Sequence, residues 1–388
     1  MVLPFELWAT VDFRSLPQQL VNGIFIGSLY ALIALGYTMV YGVLRLINFA
    51  HGEVYMLGAW TALFTSYALG FGPNAAAPGA PWYGLPVMLL TSMTVCALIG
   101  VVIERVAYRP MRNQPRIASL ITAIGVSLLL QYGGQLFLPT SPPPNIRAEV
   151  NPFQGNLNFN LTQPSPEMLK KAEGLKPALA DAEKAWKAVE SSSKGELTED
   201  AKKVRESFFT ARNAYDAAKS EADNSALSLS VSKGYLIMFT ITMVLMGILR
   251  YLVLNTKPGR AMRAVSHDFD SAALMGVNVN KVIVYTFLLG SALAGAGAMM
   301  KATFVSGTKI DTFFGLLDGV KAFVAAVLGG IGNIPGAVLG GLLMGVAEAL
   351  VVWMGGSEYK DAVAFLILIA VLIFKPGGLL GSAKVEKV

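Results

Sequence analysis

The sequence predicts an all-α, polytopic integral membrane protein with eight to nine transmembrane or re-entrant helices and an inserted helical hairpin. Three observations predict it. Of 388 residues, 54% are hydrophobic and only 14% charged, where soluble globular chains carry about a quarter charged residues. Apolar runs near the ~20 residues needed to cross ~30 Å of hydrocarbon recur along the chain. One block, residues 139–233, breaks the pattern, with 13 Lys+Arg and 13 Asp+Glu in place of an apolar run.

The same composition excludes several classes. The single cysteine, Cys96, lies in an apolar run, so there is neither a disulfide framework nor a thiol metal site. The two histidines, His51 and His267, are too far apart in sequence to suggest zinc. No phosphate-binding loop occurs, and no constellation points to an enzyme or a resident cofactor. If ATP drives the protein, another chain hydrolyses it. The formal charge of +6 arises entirely outside 139–233. No basic patch interleaved with aromatics accompanies it, so it points to membrane orientation and not to nucleic acid.

In chain order, residues 1–17 are mixed and carry the breakers Pro4 and Pro17. No basic cluster precedes the first apolar run, which argues against a cleavable leader. Spans are expected near 20–43, 54–70, 84–107, 117–138, 235–254, 282–304, 319–331, 335–354 and 361–375. The seventh is short and reads as re-entrant or broken. This divides the chain into an N-terminal transmembrane half (1–138), the insertion (139–233) and a C-terminal half (234–388).

Within the insertion, Pro142-Pro143-Pro144 and an Asn-rich stretch form an irregular lead-in. Ser165-Pro166 then supplies a helix cap and a first-turn proline. Leu169, Ala172, Leu175, Leu179, Ala182, Trp186 and Val189 make one apolar stripe at spacings of three and four. Ala201, Val204, Phe208, Ala211, Tyr215, Ala218 and Ala222 make another. Together they predict an antiparallel hairpin sealed by an apolar seam. Pro177 is expected to kink or divide its first arm.

Three spans carry small residues every four positions: Gly23/Gly27/Ala31, Gly290/Ala294/Ala298 and Ala337/Gly341/Gly345/Ala349. This spacing brings helix backbones together where lipid offers no hydrophobic drive. Two interruptions supply candidates for a translocation path. At the first, Asn48 is expected to cap the next helix and Gly52 to permit a break, with His51 and Glu53 close to the membrane. The plainer reading makes these residues a helix-start device. Gly332 and Asn333, in the glycine-rich break 329–336, are the counterpart in the second half. Glu348 stands alone inside a span and is expected to pair with Lys360, face a wet cavity or act as a proton site.

Residues 255–281 are a charged, helix-competent strip between two spans. Pro258 and Gly259 mark a turn, and a short helix runs to Gly276. Counting Lys and Arg by side gives thirteen on the face of this strip and five on the other. That predicts a cytosolic strip and C-terminus, with the N-terminus and the insertion outside. An ordinary positive-inside loop would look the same by composition.

Asp270-Ser271-Ala272 followed by Gly276 resembles the coupling-loop signature of ABC importer permeases, with Asp and Ser in place of Glu and Ala. The likeness extends over 22–60, IERVAYRPMR (103–112), GRAMRA (259–264), 320–350, EYKDAVAF (358–365) and the terminal VEKV. These runs resemble the permease of the high-affinity branched-chain amino-acid importer, and the insertion is the departure, since the family has only a modest loop there. The resemblance implies a bacterial inner-membrane subunit, a homologous second permease subunit, two cytosolic ATPase subunits and an extracytoplasmic binding protein. It implies that 259–276 dock on the ATPase through Gly259, Arg260, Arg263, Asp270, Ala272, Ala273 and Gly276. In that role the arginines make polar contacts, Ala272 and Ala273 pack closely and Gly276 ends the helix. A urea or short-amide permease shares the scaffold. An ATP-independent carrier, or a membrane-anchored scaffold built around the external hairpin, is a more distant alternative.

Overall fold

The computed structural model describes residues 13–73, 81–112, 114–139, 142–162, 165–192, 199–225, 228–305 and 307–381. The terminal VEKV, residues 1–12 and most of the predicted hairpin turn lie outside them. The chain forms two compact units. One holds Gln19–Gly155 and the chain from Ser232 onward, and the other holds Phe13–Gln18 and Asn156–Val231.

The first unit is a helical bundle: α1 (Leu16–Leu44), α2 (His51–Ser66), α3 (Gly84–Ile103) and α4 (Arg116–Phe137), then α7 (Lys233–Asn255), α8 (Lys257–His267), α9 (Phe269–Leu274), α10 (Val279–Phe304), α11 (Phe314–Gly329), α12 (Ile334–Trp353) and α13 (Lys360–Phe374). Helices therefore stand at all nine places where the sequence marks spans. Among the described residues, seven of them are long and apolar enough to cross a membrane. α11, with 16 residues, and α13, with 15, are not, since each is under about 25 Å long at ~1.5 Å per residue. Pro17 does not break α1. It lies in the first turn, where its missing N–H costs nothing.

Burial separates an inner from an outer layer. The apolar stretch of α1 is 89% buried and that of α10 78%, whereas α4 is 17% and α7 22% buried. The inner layer is held by the small-residue stripes. A methyl group added at Gly27 would lie 2.8 Å from the Gly341 carbonyl oxygen, and one at Gly345 2.3 Å from the Gly27 nitrogen, so α1 and α12 cross backbone to backbone. Gly36 meets Gly290 in the same way, joining α1 to α10. The outer layer keeps large apolar side chains such as Leu129, Phe137, Tyr251 and Ile373 exposed, as lipid contact requires.

Two breaks interrupt the bundle, and their chemistry differs from the sequence expectation. At the first, α1 ends with Arg45 at φ 54°, and α2 starts at His51 without a side-chain cap. Asn48 contributes only its carbonyl, which accepts from the His51 amide at 3.1 Å. Gly52 is helical and does not make the break. Its absent side chain lets α11 approach, because a methyl group at Gly52 would lie 2.7 Å from the Gly315 oxygen. At the second break, Gly330 and Gly332 take φ 104° and 89°, conformations that favour glycine. The carbonyls freed at the end of α11 are taken up by the chain after α13: the Leu379 amide donates to Leu328 at 2.8 Å and that of Leu380 to Gly329 at 3.0 Å.

The second unit contains α5 (Pro166–Ser192) and α6 (Glu199–Ser225), which pack together, and a two-stranded ribbon of β1 (Asn156–Asn160) and β2 (Ser228–Ser232). Lys171 pairs with Glu221 at 3.0 Å, aligning the start of α5 with the end of α6. Ala172, Ala201 and Ala218 are buried. Among the seam residues whose burial is described, only Leu169 is exposed. Pro177 does not divide α5, which runs through it. The turn around it faces solvent, so water can serve the carbonyl that the proline leaves unbonded. The ribbon replaces part of the irregular lead-in that the sequence suggests. Its β2 strand is clasped by Gln18, whose amide donates to the Ser230 carbonyl (2.9 Å) and accepts from the Ser230 amide (2.7 Å).

Candidate functional site

Functional groups gather at two ends of the bundle, and α10 connects them. Asn280, near its start, accepts from Arg112, while Lys301, near its end, pairs with Asp318. Those positions are twenty-one residues apart along one helix, a distance of about 32 Å.

At the first end lies the strip. Thr256 ends α7 and caps α8, its hydroxyl accepting from the Gly259 amide at 3.2 Å. Pro258 therefore sits in the first turn of a helix and does not mark a turn. The strip is two helices, because Asp268 takes an extended conformation that stops α8 and then caps α9. Its carboxylate accepts from the Ser271 amide at 2.9 Å, and that bond holds its pKa below the usual value. Gly276, at φ 80°, closes α9, with the Gly276 amide donating to Ala273 and the Val277 amide to Ala272, both at 3.0 Å.

The strip residues divide by exposure. Arg260, Arg263, Asp270 and Ala273 are exposed, whereas Gly259 and Ala272 are buried against the chain's own bundle together with Met262 and Val265. Ala272 thus seats the strip and offers no surface to a partner. Leu274 and Met275 are 88% and 84% exposed. Sequence reasoning did not single them out, although apolar residues at the tip of a polar helix are a signal in themselves.

Behind the strip, the 103–112 motif becomes a bracket. Buried Glu104 pairs with Arg109 at 3.0 Å and with Arg112, and Arg112 reaches Asn280 of α10. The Tyr108 hydroxyl donates to the Asn48 side chain at 2.9 Å. Asn48 therefore ties the 103–112 segment to the first break. His51 is also inside, its ring edge-on to Tyr37 at 4.6 Å, in a space that Gly36 leaves open. Glu53 borders a cavity of about 240 Å³ between α1, α2, α4 and α11. One of its carboxylate oxygens accepts from Ser127 at 3.1 Å, and the other has no partner among the described atoms. In the second half, Asn333 caps α12 through the Gly336 amide and donates to Leu380 at 2.7 Å, while Gly332 lies beside Gly42. The breaks do not bring Gly332 and Asn333 to the Glu53 cavity, whose lining includes neither.

The other end holds a cavity of about 610 Å³ bordered by α1, α10, α11, α12 and α13. Here Glu348 is not alone and does not pair with Lys360. Its carboxylate lies 2.8 Å from Lys321 and accepts from the Tyr30 hydroxyl at 2.8 Å. Lys321 also reaches Asp361 at 2.5 Å, and Lys301 pairs with Asp318. Lys321, Asp318 and Glu348 are each about 5–6% exposed. The count of basic residues by side puts Lys301 and Lys321 among the five opposite the strip and gives them no partner. The missed signal is that charges of both signs recur inside apolar runs, where they need partners.

A multi-span bundle with broken helices, buried ion pairs and two cavities has the architecture of a membrane permease. The family model for "Branched-chain amino acid transport system / permease component" matches residues 19–372. The chain belongs to that family. It is 38% identical over 375 residues to the high-affinity branched-chain amino acid transport system permease protein BraD of Pseudomonas aeruginosa, covering 96% of this chain and 97% of that protein. Against the corresponding LivH protein of Escherichia coli K12 the identity is 35% over 372 residues, covering 96% and 97%. A ribose import permease protein, RbsC of Haemophilus influenzae, is 27% identical over 161 residues, 39% of this chain and 50% of that protein. No solved structure matches at a significant level.

Proposed function

We infer that this chain is the permease subunit of an ABC importer that moves branched-chain amino acids across the bacterial inner membrane. The observation that carries the reading is end-to-end likeness to BraD and LivH, whose names specify that substrate class. It favours this reading over a urea permease. A homologous second permease subunit, two cytosolic ATPase subunits and an extracytoplasmic binding protein complete the machine. ATP is hydrolysed by the ATPase subunits, and this chain supplies the mechanical part and no bond chemistry.

The lever is α8–α9. Arg260, Arg263, Asp270, Ala273, Leu274 and Met275 form its outer face and dock on an ATPase subunit, while Gly259, Ala272 and Gly276 fix its seat and its end. The excess of Lys and Arg on the strip's side supports a cytosolic strip and C-terminus, with the N-terminus and the inserted unit outside. Closure of the ATPase pair displaces the strip and, through α7 and α10, the packing of the opposite end. The path runs past Glu53, whose free carboxylate oxygen can hold an ammonium group in transit.

Reconstitution of the permease pair with its ATPase and binding protein tests this. Labelled leucine should enter proteoliposomes in strict dependence on ATP, labelled urea should not, and an uncoupler should leave uptake unchanged. Uptake that survives without the ATPase but collapses with the uncoupler would show a gradient-driven carrier.

A further inference from the structure

We propose that the 610 Å³ cavity binds the zwitterionic head group of the transported amino acid, with its ammonium inward at Glu348 and its carboxylate toward the mouth. The proposal rests on the reading of this chain as an amino-acid permease and goes further by assigning a site and an orientation. The cavity falls in the ~300–1,000 Å³ range of small-molecule sites. It lies at the end of α10 away from the strip, which with the strip cytosolic is the side where a binding protein delivers its cargo.

Charge fixes the orientation. On the inner wall, Asp318 and Glu348, with Asp361 at their half-buried edge, share two ammonium groups, those of Lys301 and Lys321. That cluster is one cation short, and a buried carboxylate is costly unless paired. The mouth has the opposite balance, with exposed Lys309 and Lys360 against Asp311. The wall as a whole is neutral, negative inside and positive outside, and so matches a neutral zwitterion and not an anion or a cation. Ile26, Leu29, Phe314 and Leu317 on the same wall suit an aliphatic side chain. The single ammonium of Lys321, shared by Glu348 and Asp361 and capped by Tyr30 at 3.4 Å, keeps the site intact while it is empty. An arriving ammonium would compete with it for Glu348.

The test uses the whole permease–ATPase complex in nanodiscs without binding protein, so that the membrane complex alone selects. Leu317, half-exposed on the cavity wall, is replaced (Leu317→Cys) and labelled with N-ethylmaleimide, the native Cys96 being buried. Leucine should slow the labelling, whereas 4-methylpentanoate, which lacks the ammonium, should not. Glu348→Gln should raise the leucine concentration for half-protection at least about tenfold, the loss expected for one charged hydrogen bond. Asp361→Asn, at the half-buried edge, should raise it less and guards against misfolding of the first variant. Equal protection by leucine and 4-methylpentanoate, or an unchanged leucine requirement in both variants, would overturn the site. Should the parent complex take up leucine with its binding protein yet show no protection, the site fails and the permease reading stands. A parent complex without ATP-driven uptake removes both.

Discussion

The two ends of the bundle handle charge in opposite ways. At the strip, Arg260, Arg263 and Asp270 are exposed and water carries the cost of their charge. At the cavity, Lys321, Asp318 and Glu348 are buried, and only their partners do. The first arrangement suits a surface that a partner protein must find and release. The second suits a site where the balance of charge is held ready for a small ion. A substitution should therefore act through partner contact at one end and through stability at the other.

The largest effect is expected from Lys321→Met, which strands Glu348 and Asp361 without their cation. Breaking a buried pair costs about 3–5 kcal/mol, so thermal unfolding of the purified complex should move down by many degrees. The double variant Lys321→Met/Glu348→Met should recover most of that loss, because an apolar pair can replace a buried ion pair and the half-exposed Asp361 can turn to water. A double variant as unstable as the single one would mean that the pairing does not hold this end together. Leu274→Glu should do the reverse. Stability should stay within about 0.5 kcal/mol, as for exposed positions, while uptake and co-purification of the ATPase fall at least about tenfold, the scale of an interface anchor.

Smaller effects sharpen the strip's architecture. Gly276→Val forces a β-branched residue into φ 80° and should cost about 1–2 kcal/mol, seen as faster amide exchange in α9 with the bundle unchanged. The smallest is a pH effect. Because the Asp268 carboxyl titrates lower in the folded strip than unfolded, its support for α9 is present above the ordinary Asp value. That support should fade as pH falls through the lower folded value. Protection of the Ser271 amide, its exchange measured against the unstructured chain at the same pH, should therefore fall in acid, and Asp268→Asn, which keeps a capping oxygen, should remove that dependence.

What the sequence made legible follows the range of the interactions involved. Span positions and the Gly27–Gly345 stripes depend on local periodicity and appear in the structure close to where they were expected. The αL end at Gly276 is equally local. The partners of charged residues are not. Glu348 meets Lys321 from another helix and Tyr30 from the far end of the chain, so it read as a lone acid. Asn48 looked like a cap because a cap lies three residues away, whereas Tyr108 lies sixty away. Exposure is also non-local: Ala272 and Ala273 are alike in sequence, and only packing shows that one is buried and the other exposed.

The central claim is that a motor outside this chain pushes the α8–α9 tip from the side opposite the charged cavity. Site-specific photocrosslinking in the assembled importer tests it most directly, with a photoreactive residue at Leu274 in one preparation and at Leu317 in another. The account predicts that the Leu274 probe captures an ATPase subunit with a yield that changes on nucleotide binding, and that the Leu317 probe never does. Capture of the ATPase from Leu317, or of the extracytoplasmic binding protein from Leu274, would contradict it.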